Sequence, residues 1–265
     1  MSRLAELGDP LASGRIAEVY RWDAGRVVKL FRAGASPASV EAEQRNMIQV
    51  ARLGLPMPTP GKIVMVAGRI GLVMEEIAGV TMMDLIIQQP SQLASFARLL
   101  ADRHICLHRV RAPDGLHPLH ALLQGKIERS AHVTRAERNA VLGALADMPS
   151  GTMLCHGDFH PGNLLMTSHG PIIIDWPDAA SGSPMADVAR TSLLFAGHIA
   201  LSAGNPDAQA PMKRYRDIYL ECRLAAPDGD REEVQRWRPI LAAARLSEGI
   251  DEQQDWLRQQ VRRVL

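Results

Sequence analysis

Residues 154–166 read LCHGDFHPGNLLM. An apolar run is interrupted by two histidines, an aspartate, a proline, two glycines and an asparagine, residue types that either do chemistry or turn a chain. Residues 164–166 and 172–174 have the composition of two short strands. Between them lies TSHGP, whose Gly and Pro suit a five-residue hairpin loop. A turn centred on His169 sets Leu165 against Ile173, Leu164 against Ile174 and Asn163 against Asp175. Directly opposed residues in an antiparallel pair have Cβ atoms about 4.5–5.5 Å apart. The spacing therefore predicts an amide oxygen and a carboxylate converging at the mouth of the hairpin. Such a donor set suits Mg2+, which binds one or two protein oxygens together with phosphate and water. Asp158 precedes Asn163 with Pro161 and Gly162 between them, so the backbone can turn back and bring its carboxylate to the same spot. There it could accept a hydroxyl proton and aim the oxygen at a phosphorus atom.

The pattern H-x-D-x-x-x-x-N, here HGDFHPGN, followed by an apolar strand ending in Asp, is the arrangement of a protein-kinase catalytic loop and metal aspartate. The form HGDFHPGN with IIIDWPDAASGSPMADVA closely resembles the aminoglycoside phosphotransferase family and its small-molecule kinase relatives. The resemblance is strong over residues 154–191, looser over most of the rest and weak toward the C-terminus. It implies a bilobal, protein-kinase-like α+β fold with a small β-rich N-lobe and a larger, mainly helical C-lobe. It also implies roles: Asp158 as catalytic base or hydroxyl-orienting residue, Asn163 and Asp175 as Mg2+ ligands, His156 as a brace of the loop, and Asp187 as its anchor from the next helix. Pro177 and Ser183 depart from the family, which often has acidic residues there; both are expected to bear on the substrate side. His160 is expected to pack the loop.

Phosphoryl transfer also needs a cation on the donor phosphates. In RVVKLF, Lys29 shares a strand face with Val27 and Phe31, so a charge points to an apolar side. Alone it reads as an edge lysine snorkelling to solvent. The next helix carries the stripe Val40, Glu43, Met47, Val50, in which Glu43 is a carboxylate on an apolar face. Buried charges need partners, and Lys29 and Glu43 supply each other. They match the strand lysine and helix glutamate of kinases. SGRIAEV, residues 13–19, keeps only Gly14 of a glycine-rich phosphate loop; the resemblance alone implies that Ser13, Gly14 and Arg15 approach the phosphates. In GLVMEEI the resemblance implies adenine contacts from the backbone of Glu75 and Ile77, with Met74 packing nearby. The cofactors so implied are ATP (or GTP) and Mg2+, and the acceptor is a small-molecule hydroxyl, such as that of an aminoglycoside or a related sugar or amino alcohol.

The elements that must position these groups fall in two regimes. Up to residue 77, short β-rich runs alternate with glycines and one helix, expected from Pro37 to Leu53 with Ser36 as its N-cap. From residue 78 to residue 265 helices dominate. The expected division is thus an N-terminal nucleotide-binding lobe, residues 1–77, and a C-terminal catalytic and substrate-binding lobe, residues 78–265. His104 and His108, at i, i+4 on a helix with Leu93, Phe96, Leu100 and Leu107, read as core histidines; the glutamate that completes a helical zinc motif is missing.

The 265 residues suffice for a sizeable core, and 46% hydrophobic with 22% charged residues is ordinary for a globular chain. A net charge of +1 gives no global attraction to nucleic acid or an acidic membrane. The N-terminus lacks a signal-peptide core, no apolar run reaches bilayer length, and three scattered cysteines argue against a disulfide framework. A cytoplasmic location with buried thiols is expected. Two other functions share the same residues. DFH at 158–160 resembles the opening of a metallophosphoesterase site, but Gly162-Asn163 is followed by leucines where that class needs histidine. A nucleotide-binding protein without catalysis is the other.

Overall fold

The computed structural model describes residues 7–264. In chain order its N-terminal elements are β1 (Ala12–Ser13), β2 (Ala17–Asp23), β3 (Arg26–Phe31), α1 (Pro37–Ala51), β4 (Pro60–Val66), β5 (Arg69–Glu75), β6 (Val80–Thr81) and α2 (Met82–Gln88). There follow α3 (Leu93–Leu107), α4 (Leu119–Arg129), α5 (Arg135–Ala146), β7 (Met153–Cys155), β8 (Leu164–Thr167), β9 (Gly170–Ile173), β10 (Ala180–Gly182), α6 (Pro184–Leu201), α7 (Pro206–Leu224), α8 (Arg231–Arg245) and α9 (Gln254–Val261). The chain is α+β, an antiparallel-sheet part ahead of a helical remainder. No helix among the described residues is long and apolar enough to cross a membrane.

Two compact units result. The first holds the described residues up to Asp84 together with Gly162–Asp178; the second holds Leu85–Pro161 and Ala179–Leu265. The hairpin segment therefore groups with the β-rich part, not with the helices around it in sequence.

In the first unit, five antiparallel strands run in the order β1-β2-β3-β5-β4. Val28 and Leu30 on one face of β3 join Tyr20, Val66 and Val73 in a buried apolar cluster. Alternation then leaves Lys29 on the other face with Val27 and Phe31. The β4–β5 turn uses Ala67 and Gly68, both at positive φ (49° and 77°), as a two-residue hairpin of right-handed twist requires. On α1, Ser36 does occupy the N-cap and Pro37 the first turn, but the Ser36 side chain makes no capping bond. The helix is held by its buried stripe of Val40, Glu43, Asn46, Met47 and Val50.

The hairpin differs from the sequence expectation by one residue. Leu164 pairs with Ile173, Leu165 with Ile172 and Thr167 with Gly170, which leaves a loop of only Ser168 and His169. Gly170 enters the ladder because it can hold a φ of 108°. Pro171 joins it because β9 is the edge of the order β6-β8-β9, where a missing N–H costs no ladder bond. Asn163 consequently stands opposite Ile174, whose N–H donates to the Asn163 carbonyl at 3.0 Å.

In the second unit, α6 is buried almost all round, as a helix at the centre of a helical core must be. Asp187, in its first turn, is fully buried. Oδ2 accepts the His156 N–H (2.7 Å) and the Nε2–H groups of His104 (3.1 Å) and His108 (3.3 Å); Oδ1 accepts the Gly157 N–H (2.9 Å). Since a carboxylate only accepts and a guanidinium only donates, both ring tautomers are fixed. His104 Nδ1 accepts from the Tyr219 hydroxyl (2.7 Å), and His108 Nδ1 from Arg223 (2.9 Å), which also holds Asp228. Both histidines are core residues, as expected. Of the cysteines, Cys155 is buried, Cys222 intermediate and Cys106 exposed, so the expectation of three buried thiols holds for Cys155 alone.

Burial above all, with the neighbouring ring, holds His104 down to about 3, and burial likewise lowers His108. Burial opposes the Asp187 charge, but its bonds from the two histidines outweigh that and keep its carboxyl well below the usual range. An unfolded histidine titrates near about 6.5. Between that value and the folded one the unfolded chain binds more protons, so stability is full above about pH 6.5 and falls as the pH drops toward 3. Urea midpoints measured from pH 7.5 to 5 should decline accordingly, while a flat profile would place the protonation elsewhere. Tyr219→Phe strips a buried acceptor of its donor and should lower stability by about 1–3 kcal/mol by the same measurement.

Candidate active site

In the first unit the Lys29 ammonium donates to Glu43 Oε1 at 2.7 Å and to Asp175 Oδ1 at 2.6 Å. It also lies 5.2 Å from the Phe31 ring centroid, a cation–π contact. Burial disfavours the lysine charge, but Asp175 and Glu43 outweigh it and push its pKa up to about 12. Burial raises the Glu43 carboxyl against the pull of Lys29, and the nearby Asp175 charge adds to the rise. Glu43 is 2% exposed and Asp175 33%. The lysine is thus anchored from behind by a sealed carboxylate and faces an open one.

Asp175 has φ +67°, uncommon for a residue other than glycine. Such a conformation persists where the surroundings over-determine it. Here the next two carbonyls, of Trp176 and Pro177, accept from Asn46 Nδ2 (3.3 and 2.9 Å), and the Trp176 indole N–H donates back to Ile173 (3.2 Å). Asn46 thereby fastens the turn that carries Asp175. Lys29 is the one side chain bonded to Asp175 among the described residues, and it takes Oδ1, so Oδ2 remains as a donor for a cation. Asn163, buried at the other end of the Ile174 backbone bond, brings an amide. An open carboxylate oxygen and an amide are hard-oxygen donors that fit Mg2+. The direct opposition of residues 163 and 175 read from the sequence is corrected by the register: the partner of Asn163 is Ile174, and Asp175 lies one step beyond.

In the second unit one face of α6 grips residues 156–159. Asp187 takes the N–H of Gly157, and Arg190, one turn on, donates through Nε to the Gly157 carbonyl (3.0 Å). Thr191 donates to the Phe159 carbonyl (2.8 Å). Gly157 has φ +80°, which lets both ends of one residue meet the same helix. His156 Nδ1 accepts the Asp158 N–H at 3.2 Å. The Asp158 carboxylate then has Arg190 Nη2 at 3.4 Å from Oδ1 and His160 Nε2 at 3.4 Å from Oδ2. Burial opposes its charge, but the His160 hydrogen bond and the Arg190 guanidinium hold it well below the usual carboxylate range. His160, expected to pack the loop, sits beside the Asp158 carboxylate.

The remaining expected residues are placed as follows. Ser13 ends β1, and Gly14 closes the turn to Ala17 by a backbone bond of 2.9 Å. Arg32 clamps this turn, donating to Ser13 Oγ and to the carbonyls of Gly14 and Arg15. Met74 and Glu75 close β5, and Ile77 follows, half-buried. The Glu75 N–H is committed to Thr59 O at 3.0 Å, which restricts any ligand contact of its backbone to the carbonyl. Ser183 does not behave as a substrate-side residue. It caps α6, accepting from Met185 N–H (3.1 Å) and donating to Glu233 (2.5 Å). Sequence reasoning missed Asn46, Arg32, Arg190 and Glu248. Of these only Asn46 left a trace, as a polar residue beside Met47 on the apolar stripe of α1.

A sequence profile of the phosphotransferase enzyme family (APH) matches residues 8–232. No curated protein sequence matches the chain. Among solved structures, a thermostable mutant of aminoglycoside phosphotransferase APH(4)-Ia in ternary complex with ADP and hygromycin B aligns at 16% identity and TM-score 0.66, covering 99% of this chain and 96% of that one. A choline/ethanolamine kinase family protein from Mesorhizobium loti aligns at 18% identity and TM-score 0.56, with 100% and 90% covered. Aminoglycoside phosphotransferase APH(3'')-Id from Streptomyces rimosus, in complex with ADP and streptomycin, aligns at 18% and 0.51, with 91% and 94% covered. At these identities the structural likeness establishes the kinase-like fold, and the profile, spanning most of the chain, establishes the family: the chain belongs to the phosphotransferase enzyme family.

Proposed function

We propose that the protein transfers the terminal phosphoryl group of ATP, with Mg2+, to a hydroxyl of a small molecule, an aminoglycoside or a related sugar or amino alcohol. The observation that carries this reading is the lysine held between two carboxylates, one sealed and one open (2.7 and 2.6 Å). An ammonium fixed by a buried counter-ion is pre-organised to receive phosphate oxygens without reorganising. The neighbours solved with ADP and an aminoglycoside support the substrate class.

In this reading Asn163 and Asp175 would hold the metal, whose role is to offset charge developing on the transferred group. Lys29 orients the donor phosphates, and Glu43 holds Lys29. Ser13, Gly14 and Arg15 cover the phosphates on a turn that Arg32 stiffens. Met74, Glu75 and Ile77 serve the adenine. Asp158 accepts a hydrogen bond from the acceptor hydroxyl and aims its oxygen at phosphorus. Because its charge is strongly stabilised, Asp158 is an orienting anion first. It takes the proton only as the new O–P bond forms and the old P–O bond to the nucleoside diphosphate breaks, when the hydroxyl becomes acidic. His156 and Asp187 keep its backbone in place.

An ATP-consumption screen against aminoglycosides, sugars and amino alcohols should find an acceptor whose phosphorylation falls about 10²–10⁴-fold in Asp158→Asn; undiminished transfer in that variant would remove Asp158 from the reaction. Lys29→Met should lower kcat/KM for ATP about 10²–10³-fold and, by stranding Glu43, destabilise the fold by about 3–5 kcal/mol. Lys29→Met/Glu43→Met should regain much of that stability in urea titrations without regaining activity. Recovery of both would assign the pair a purely structural role.

A further inference from the structure

The family match ends at residue 232, yet a residue beyond it reaches the partner of the proposed base. Glu248, in the turn after α8, accepts from Arg190 Nη2 at 2.8 Å through Oε1 and from Arg245 Nη1 at 3.0 Å through Oε2. The same Arg190 Nη2 stands at 3.4 Å from Asp158 Oδ1. Arg190 and Arg245 are 8% and 7% exposed, and Glu248 16%, so these charges meet largely out of water. The turn itself is seated on α6. Arg245 Nε donates to Gln253 Oε1 at 3.1 Å, and the Gln253 amide covers Gly197, where a Cβ would come within 3.0–3.1 Å of it.

We propose that Glu248 is a positioning residue for phosphoryl transfer: it limits the Arg190 guanidinium to one long bond to the Asp158 carboxylate and keeps it from closing into a bidentate pair. This inference rests on the assignment of Asp158 as the hydroxyl-orienting base. The two bonds of Arg190 Nη2 are unequal, and the shorter goes to Glu248. Arg190 is tied on its other side to the Gly157 carbonyl, so it can pivot but not leave. Neutralising Glu248 removes the stronger of two competing anions, and the guanidinium then closes on Asp158. A bidentate arginine–carboxylate pair would occupy the oxygens needed by the acceptor hydroxyl. Arg245, held by Gln253, keeps Glu248 from following Arg190. The stretch from Arg245 to Gln253 thereby acts on the reaction although it contributes no group to the reacting atoms.

The test is a double-mutant cycle on the full chain, with the acceptor that gives the fastest ATP-dependent transfer. Glu248→Gln should lower kcat about 10-fold or more while KM for ATP stays within about twofold, since misplacement of a reacting group acts on the chemical step. In an Arg190→Gln background the same change should cost nothing further, because its effect runs through the arginine. An unchanged kcat in Glu248→Gln, or an equal proportional loss in both backgrounds, overturns the inference. Should Glu248→Gln fail to fold, Glu248→Asp, which keeps the charge but shortens the reach, carries the same comparison. A wild-type chain that phosphorylates no acceptor overturns the proposed function and this inference together, whereas an active wild type with an indifferent Glu248→Gln overturns this inference alone.

Discussion

The buried carboxylate of Asp187 is the constraint on which the helical unit depends. An anion with no access to water is tolerable only when hydrogen-bond donors replace the water around it. Here four N–H groups do so, two from histidine rings and two from the backbone of residues 156 and 157. The arrangement propagates outward. Both rings must present Nε2–H to the anion, so their Nδ1 atoms must find donors, and Tyr219 and Arg223 from α7 supply them. One charge in the first turn of α6 therefore fixes α3, α7 and the HGD segment in a single donor–acceptor order. The trio of His104, His108 and Asp187 has ligand atoms close enough together for a metal, all within 4.8 Å. Its ring nitrogens are spent instead, protonated toward the carboxylate or accepting from Tyr219 and Arg223.

Three aspartates show how surroundings separate roles among identical side chains. Asp187 is saturated by donors and has no oxygen left for a ligand. Asp158 is flanked by Arg190 and His160 but remains 27% exposed. Asp175 has a single ammonium on one oxygen, with a third of its side chain open. Saturation gives an anchor, partial pairing an anion that can still accept a hydroxyl, and a single partner a donor for a cation. Environment divides carboxylates in this way wherever acid, base and ligand functions share a fold. The lysine joined to Asp175 follows the same rule with the sign reversed, since Asp175 and the buried Glu43 keep it charged where burial alone would not.

Much of this was legible in the sequence because it breaks local patterns. A lysine on an apolar strand face and a glutamate on an apolar helix stripe each violate periodicity, and the structure joins them. HGDFHPGN interrupts an apolar run, and the sheet strands and the start of α6 follow from alternation, glycine and proline. What stayed hidden is the partnership between residues far apart in the chain. The hairpin slipped by one because the reading gave Gly170 and Pro171 to the loop, whereas an edge position admits the proline and a positive φ admits the glycine. Arg190 sits among apolar neighbours on α6, and Glu248 in a short turn far along the chain; only the fold makes them partners. Asn46 holds Trp176 and Pro177 across a sequence distance that no periodicity spans.

Ser183 carries the same lesson about substitutions within a pattern. Read as a departure from an acidic position, it pointed to the substrate. Its hydroxyl instead caps α6 and donates to Glu233, which also accepts the Trp237 indole N–H at 3.0 Å. An aspartate at 183 would cap the helix equally well but would set its carboxylate against that of Glu233. A carboxylate on α8 and a hydroxyl at the start of α6 are therefore one solution, in which the negative charge near the helix N-terminus comes from a neighbouring helix. The favourable interaction with the helix dipole is kept, and α8 is tied to the very turn of α6 that carries Asp187. The departure is compensated inside the helical core, and the geometry of the HGD segment does not have to change with it.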